Sequence, residues 1–184
     1  AYKFFKKPII NALSEVSHPC QILSDLYTLK EHFGTIENLN ISWFGDLNNV
    51  LFSLIEACNI LDNFNLNIFT DKNLYEKFQY PKNSKIKFFF DIDKKVLSFS
   101  DCIMTDVFFS MNDKSSKKEI LQKFQVNENI MNLCKPDTVF MHCLPANLGE
   151  EVSENIFRSK HSIVWKQAEN RMYIQKNILK WLNL

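Results

Sequence analysis

Runs of largely apolar residues alternate along this chain with stretches whose apolar positions recur every three or four residues. The runs fall at 39–44, 66–69, 86–90, 102–109 and 138–141. Taken together they are β-prone and largely apolar and are separated by helical patterns, so they predict strands buried on both faces, which is the habit of a parallel sheet. Helical spacing begins at Gln21, with Ile22, Leu23, Leu26 and Leu29, and stops at Gly34. It returns from near Asn48 with Val50, Leu51, Leu54, Ile55 and Cys58 on one side, and again at 74–78, 117–124 and 150–157. Strand, tight turn at Gly45 and helix open a doubly wound fold, so the predicted class is α/β: a Rossmann-like parallel sheet with helices on both faces. Residues 1–35 read as the end of one unit and a joining helix, 36–170 as the α/β domain, and 171–184 as a last helix. On that helix Ile174, Ile178, Leu179, Trp181 and Leu182 face a partner surface, which predicts an exposed apolar patch near Trp181.

Composition narrows this picture. With 184 residues, the chain fits one domain that buries roughly 70% of its extended surface. Lys plus Arg number 22 against 21 Asp plus Glu; the one basic cluster, 114–118, is short and broken by serines, so nucleic acid is not an expected partner. No apolar stretch approaches the ~20 residues of a membrane helix, and no signal peptide is recognisable, so a membrane is not expected either. The cysteines, five in number and widely spaced, suit neither a disulfide framework nor a zinc site and point to a reducing cytoplasm. Glycines number only 3, so Gly34, Gly45 and Gly149 are expected where the backbone requires them.

The polar residues that interrupt this pattern sit where an open α/β sheet binds its ligands, beyond the carboxyl ends of the strands. His142-Cys143-Leu144-Pro145 follows the run at 138–141, and Asp106 opens Asp106-Val107-Phe108-Phe109-Ser110-Met111. Cys143 reads either as a small buried hydrophobe or as a thiol whose proton affinity is lowered by a nearby helix end or cation. His142 cannot serve it as a base, because neighbours in an extended segment point to opposite faces. A carboxylate at Asp106 is costly unless it meets a cation or several donors; a substrate ammonium or a turn would each satisfy it. Asn49, at the helix start after Gly45, lies where main-chain N–H groups favour an anion. The further glycines of a dinucleotide fingerprint are missing there. His18 and Gln21 stand at a turn into a helix, as caps or as donors to a carbonyl. Arg171, after Glu169-Asn170, carries the fork that phosphate or a carbonyl oxygen attracts, or else a surface ion pair.

In order and spacing, these segments (with His18-Pro19-Cys20-Gln21, Gly45-Asp46-Leu47-Asn48-Asn49 and Glu169-Asn170-Arg171) resemble the carboxy-terminal half of the ornithine carbamoyltransferases. The resemblance implies the second domain of the aspartate/ornithine carbamoyltransferase fold, preceded in 1–35 by the end of the carbamoyl-phosphate domain. It assigns ornithine to Asn49, Asp106, Ser110 and Met111, and carbamoyl phosphate to His18, Gln21, Cys143, Leu144 and Arg171. Asp106 and Cys143 become the candidate catalytic pair. L-ornithine and carbamoyl phosphate are then the partners, no metal or organic cofactor is expected, and the complete enzyme would be a homotrimer. The chain departs from the family in Asn112, where Gly usually follows Ser-Met, and in Lys166-Gln167-Ala168, where an acidic residue commonly precedes the alanine.

The family's phosphate-binding Ser-x-Arg-Thr loop belongs to an amino-terminal domain, and no such sequence occurs in this chain. The chain alone is therefore expected to turn over carbamoyl phosphate poorly, and 171–184 to pack back on the missing domain. Related readings are a putrescine carbamoyltransferase, which shares His-Cys-Leu-Pro but lacks Ser-Met, and an aspartate carbamoyltransferase, which has Pro at the position of Cys143. A different class, a non-catalytic ornithine-binding module, would bind ornithine without making citrulline.

Overall fold

A computed structural model describes residues 7–108 and 116–183. Its elements run α1 (Pro19–Phe33), β1 (Asn40–Phe44), α2 (Asn49–Leu61), β2 (Asn65–Phe69), α3 (Lys72–Tyr75), β3 (Ile86–Phe89), α4 (Lys94–Leu97), β4 (Cys102–Thr105), α5 (Ser116–Leu121), α6 (Glu128–Met131), β5 (Val139–His142), α7 (Glu154–Phe157) and α8 (Val164–Trp181). The strands form one parallel sheet in the order β3-β2-β1-β4-β5. Each of the five apolar runs coincides with a strand to within a residue at most ends; the run at 102–109 gives only Cys102–Thr105, leaving Asp106 just past its strand. The four-residue helices α4 and α6 went unpredicted because neither spans two turns of apolar spacing. Each is instead started by a side-chain cap, Asp93 or Asn127. The expected helix at 150–157 shrinks to Glu154–Phe157. The last helix begins earlier than expected, at Val164 instead of 171, so Arg171 sits within it rather than at its start.

Side chains alternate across the sheet into two cores. Ile41, Trp43, Leu66, Ile68, Met104 and Met141 face one core with α1 and α2. Phe44, Phe69, Ile103 and Phe140 face the other, with Phe108, Leu121, Phe124, Ile130 and Ile156. The free edge of β5 is covered by the segment before α8, where Phe140 N–H donates to His161 O (2.7 Å) and Ile163 N–H to Phe140 O (3.0 Å). Gly34 ends α1 in the left-handed region at φ 79°. Gly45 is more constrained: at φ 114°, a Cβ there would lie 2.3 Å from Phe108 Cε1, so the turn after β1 admits no side chain. Among the described residues no helix is long and apolar enough to cross a membrane.

Helices α1 and α8 pack side by side through polar groups. Asn170 Nδ2 lies 3.0 Å from both Thr28 Oγ1 and Glu31 Oε2, and Lys166 Nζ lies 3.4 Å from Glu31 Oε1. The outward sides of the same helices carry exposed Leu23, Tyr27, Met172, Leu179 and Trp181, the last 80% exposed. The apolar patch expected near Trp181 is thus present.

Candidate active site

The strand order reverses between β1 and β4, and the two loops that leave these strands meet there. Asn48 is the hinge of the meeting. Its Oδ1 accepts from Val50 N–H and Leu51 N–H (both 3.1 Å), capping α2, and its Nδ2 donates to Asp106 Oδ2 at 2.7 Å. The other Asp106 oxygen, Oδ1, accepts from the thiol of Cys143 at 3.0 Å. One nearly buried carboxylate thereby joins the ends of β1, β4 and β5.

Of the two readings of Cys143, the thiol of lowered proton affinity is not met. Burial pushes its pKa well above the ordinary thiol range, and the adjacent Asp106 charge pushes in the same direction. The thiol therefore stays protonated at neutral pH and serves as a donor to Asp106. His142 turns to a different partner: Nδ1 accepts Leu144 N–H at 2.9 Å, which leaves Nε2 to donate toward the fully buried Glu151 at 3.3 Å. Glu151 also accepts from the main-chain N–H of Asn147. The loop after β5 is thus stiffened from beneath, with Leu144 at φ 60°. Asp106, His142 and Cys143 bring potential ligand atoms within 4.8 Å of one another. The Nδ1 lone pair of His142 is already used by Leu144, however, so a cation there would have to break that bond.

Across the site, His18 precedes α1, with Pro19 in the first helical turn. Its main-chain N–H is held by Ser53 Oγ of α2 at 2.7 Å. Burial, and then the Arg171 guanidinium, lower the pKa of the His18 imidazole, which keeps it neutral at neutral pH. Arg171 Nη1 stands 3.4 Å from His18 Nε2 and donates to Gln21 Oε1. His18, Gln21 and Arg171 therefore form one cluster, although Gln21 itself is buried. Asn49 is placed differently from its expected role as a free anion ligand: its Nδ2 donates to Ser14 O at 2.7 Å, tying down the segment before α1. Leu144 is partly buried beside Cys143. Ser110 and Met111 lie outside the described residues.

Sequence reasoning missed Asn48, Ser53, Glu151 and the buried pair Asp25 and Gln167. A signal existed for the last two. Gln21, Ser24, Asp25 and Thr28 form a polar stripe at helical spacing, answered by Gln167, Asn170 and Arg171 on α8.

A parallel sheet whose order reverses beneath amide, carboxyl, thiol and guanidinium groups has the ligand-binding layout of doubly wound domains. Residues 37–182 match the family described as "Aspartate/ornithine carbamoyltransferase, Asp/Orn binding domain", and the chain belongs to that family. It is 44% identical over 180 residues to an ornithine carbamoyltransferase of Ruthia magnifica, covering 95% of this chain and 60% of the relative. Against that of Rhodopseudomonas palustris it is 41% identical over 185 residues, covering 97% and 59%. Among solved structures it resembles ornithine carbamoyltransferase from Thermus thermophilus, with TM-score 0.85, 36% identity and coverage of 98% of this chain and 60% of that one. The Burkholderia thailandensis structure gives TM-score 0.86 at 33% identity, again covering 98% and 60%. The chain thus spans about 60% of the length of the relatives it matches.

Proposed function

We propose that this chain is the ornithine-binding part of an ornithine carbamoyltransferase, in which the δ-amine of L-ornithine attacks the carbamoyl carbon of carbamoyl phosphate. The tetrahedral adduct loses phosphate, the amine loses a proton, and the product is L-citrulline. The observation that carries this reading is the Asp106 carboxylate, held between Asn48 and Cys143 at the reversal of strand order. A carboxylate so held can accept from an incoming amine. The neutral thiol beside it supports a role in orienting the nucleophile rather than attacking as a thiolate. His18, Gln21 and Arg171 supply the polar group expected to face the carbamoyl oxygen, with Arg171 as its permanent cation. Asn49, Asp106, Ser110 and Met111 would hold ornithine, and Cys143 and Leu144 would border the carbamoyl group. The chemistry needs placement and charge complementarity, with no metal or organic cofactor in any step.

In the same reading, residues 1–35 are the end of a carbamoyl-phosphate domain and the joining helix, and the end of α8 packs back on that domain, which the exposed Leu23, Tyr27, Leu179 and Trp181 support. The complete enzyme would be a cytoplasmic homotrimer acting in arginine metabolism, and the free state of all five cysteines fits a reducing compartment. The alternative is an ornithine-binding module without turnover. The protein isolated from its source should have a mass well above that of this chain and should release citrulline from carbamoyl phosphate and L-ornithine. It should give no carbamoylated product from putrescine or L-aspartate. Ornithine binding without citrulline would establish the second reading, and failure of both would overturn the assignment.

A further inference from the structure

One carboxyl group lies beneath the site without a part in the reaction just described. Asp25, on α1, is fully buried, and its Oδ1 accepts from Gln21 Nε2 at 2.7 Å and from Gln167 Nε2 at 2.8 Å. Its Oδ2 is buried with no hydrogen-bond partner. The far ends of the two amides reach opposite walls of the site. Gln21 Oε1 accepts from Arg171, and Gln167 Oε1 accepts from the main-chain N–H of His142 at 2.9 Å. We infer that Asp25 and Gln167 are positioning residues: they tie the His18, Gln21 and Arg171 cluster to the loop that carries Cys143 and Leu144. This inference rests on the proposed reading of those two groups as the walls of a carbamoyl-transfer site.

The tie has a definite polarity. An ionised carboxylate only accepts, so both amides must point their NH2 groups at Asp25, which leaves both carbonyl oxygens for Arg171 and His142. A single oxygen thus sets the orientation of two side chains. What the Gln167 amide supplies is plain when an acid is put in its place. A carboxylate there could still accept from His142, but it would face Asp25 Oδ1 with no donor between them unless the pair shared a proton. In this chain the Gln167 amide supplies that donor at every pH, and Oδ1 accepts from it whether or not Asp25 carries a proton on Oδ2. The other charged or titratable groups that act on Asp25, or feel it, are Arg171 on α8, Asp106 after β4, Cys102 on β4 and Cys143 after β5.

The test uses the whole chain with Q167E and Q167L, read by the NMR shift of the His142 amide proton and by the dissociation constant for L-ornithine. Q167L should move the His142 amide toward the position of an unbonded amide and weaken ornithine binding about tenfold at every pH, as expected for one lost buried hydrogen bond. Q167E should bind as wild type does at pH 5, where the pair holds a proton, and about tenfold more weakly than wild type at pH 8. The His142 shift should follow the same course. Identical pH profiles for Q167E and wild type in both readouts would overturn the tie, as would a Q167L chain with wild-type shift and affinity. If Q167L does not fold, the Q167E profile decides. If the wild-type chain binds no ornithine, the functional reading fails, and the His142 shift alone decides the tie.

Discussion

Replacing Asp25 by Asn should remove most of the pH dependence of stability between pH 4 and pH 8. Burial raises the Asp25 pKa from 3.8 to about 7, against the lowering effect of the Gln167 and Gln21 amides and Arg171. In the unfolded chain the group ionises near its ordinary value, so across this window the folded chain keeps a proton that the unfolded chain has lost. Stability from this group is therefore complete below about pH 4, falls as the pH rises and is lost above about 7. Three pH units at about 1.4 kcal/mol each amount to about 4 kcal/mol. With a urea slope of roughly 2–3 kcal/mol per molar, the wild-type midpoint should fall by about 1.3–2 M relative to the variant over that range. His18, the exposed Glu31 and the half-buried Glu128 are shifted downward, by burial, by the Asn170 side chain and by main-chain bonding respectively. All three work in the opposite direction, but they are common to both proteins and cancel in the difference. Urea titrations followed by tryptophan fluorescence at pH 4, 6 and 8 measure it. Parallel curves for wild type and D25N would refute the reasoning, since they would mean that Asp25 ionises at the same pH folded and unfolded.

Removing Asn48 strips the cap from α2 and one bond from Asp106, so N48A should lose about 2 kcal/mol, with Tm lower by roughly 4–8 °C in calorimetry. N48S, which restores only the cap, should recover about half of that. Under native conditions at pH 8, Cys143 should react with iodoacetamide more slowly than an exposed thiol, as followed by peptide mass mapping. D106N should speed the reaction by removing the negative charge that, after burial, holds the thiol protonated; an unchanged rate would contradict that account.

The sheet was legible because burial on both faces leaves largely apolar runs, and each of the five runs holds one strand. The short helices were not, since α4 and α6 are made by a capping side chain and by tertiary contacts rather than by periodicity. In the site, Asp106 and Cys143 were readable as polar residues ending apolar runs, and they do come together. The direction of the Cys143 shift was left open by the sequence for a physical reason. Sequence shows a thiol near a sheet rim but not which neighbour it meets, and that neighbour is a carboxylate rather than a cation. Asn49 was reached through the resemblance alone, whereas Asn48, the cap of α2, shows no sequence sign that its side chain also meets Asp106. The tie through Asp25 escaped notice because its partners lie 142 residues apart, and no local rule links two polar stripes at that distance.

The polar packing of α1 against α8 explains how Arg171 comes to its place. Two helices packed through apolar side chains can shift by a fraction of a turn at modest cost, because dispersion contacts are not directional. Here Ser24, Asp25, Thr28 and Glu31 meet Gln167 and Asn170 through bonds that each require one partner at one position. Sliding α8 would leave several buried polar groups unpaired at once, at about 1–3 kcal/mol each. The position of Arg171 along α1 is therefore set by residues that never face the site. It also explains why the helix pair keeps its order while its outer side, with Leu23 and Trp181, remains exposed. The inner face is held by directional bonds, and the apolar outer face is left for whatever packs against it.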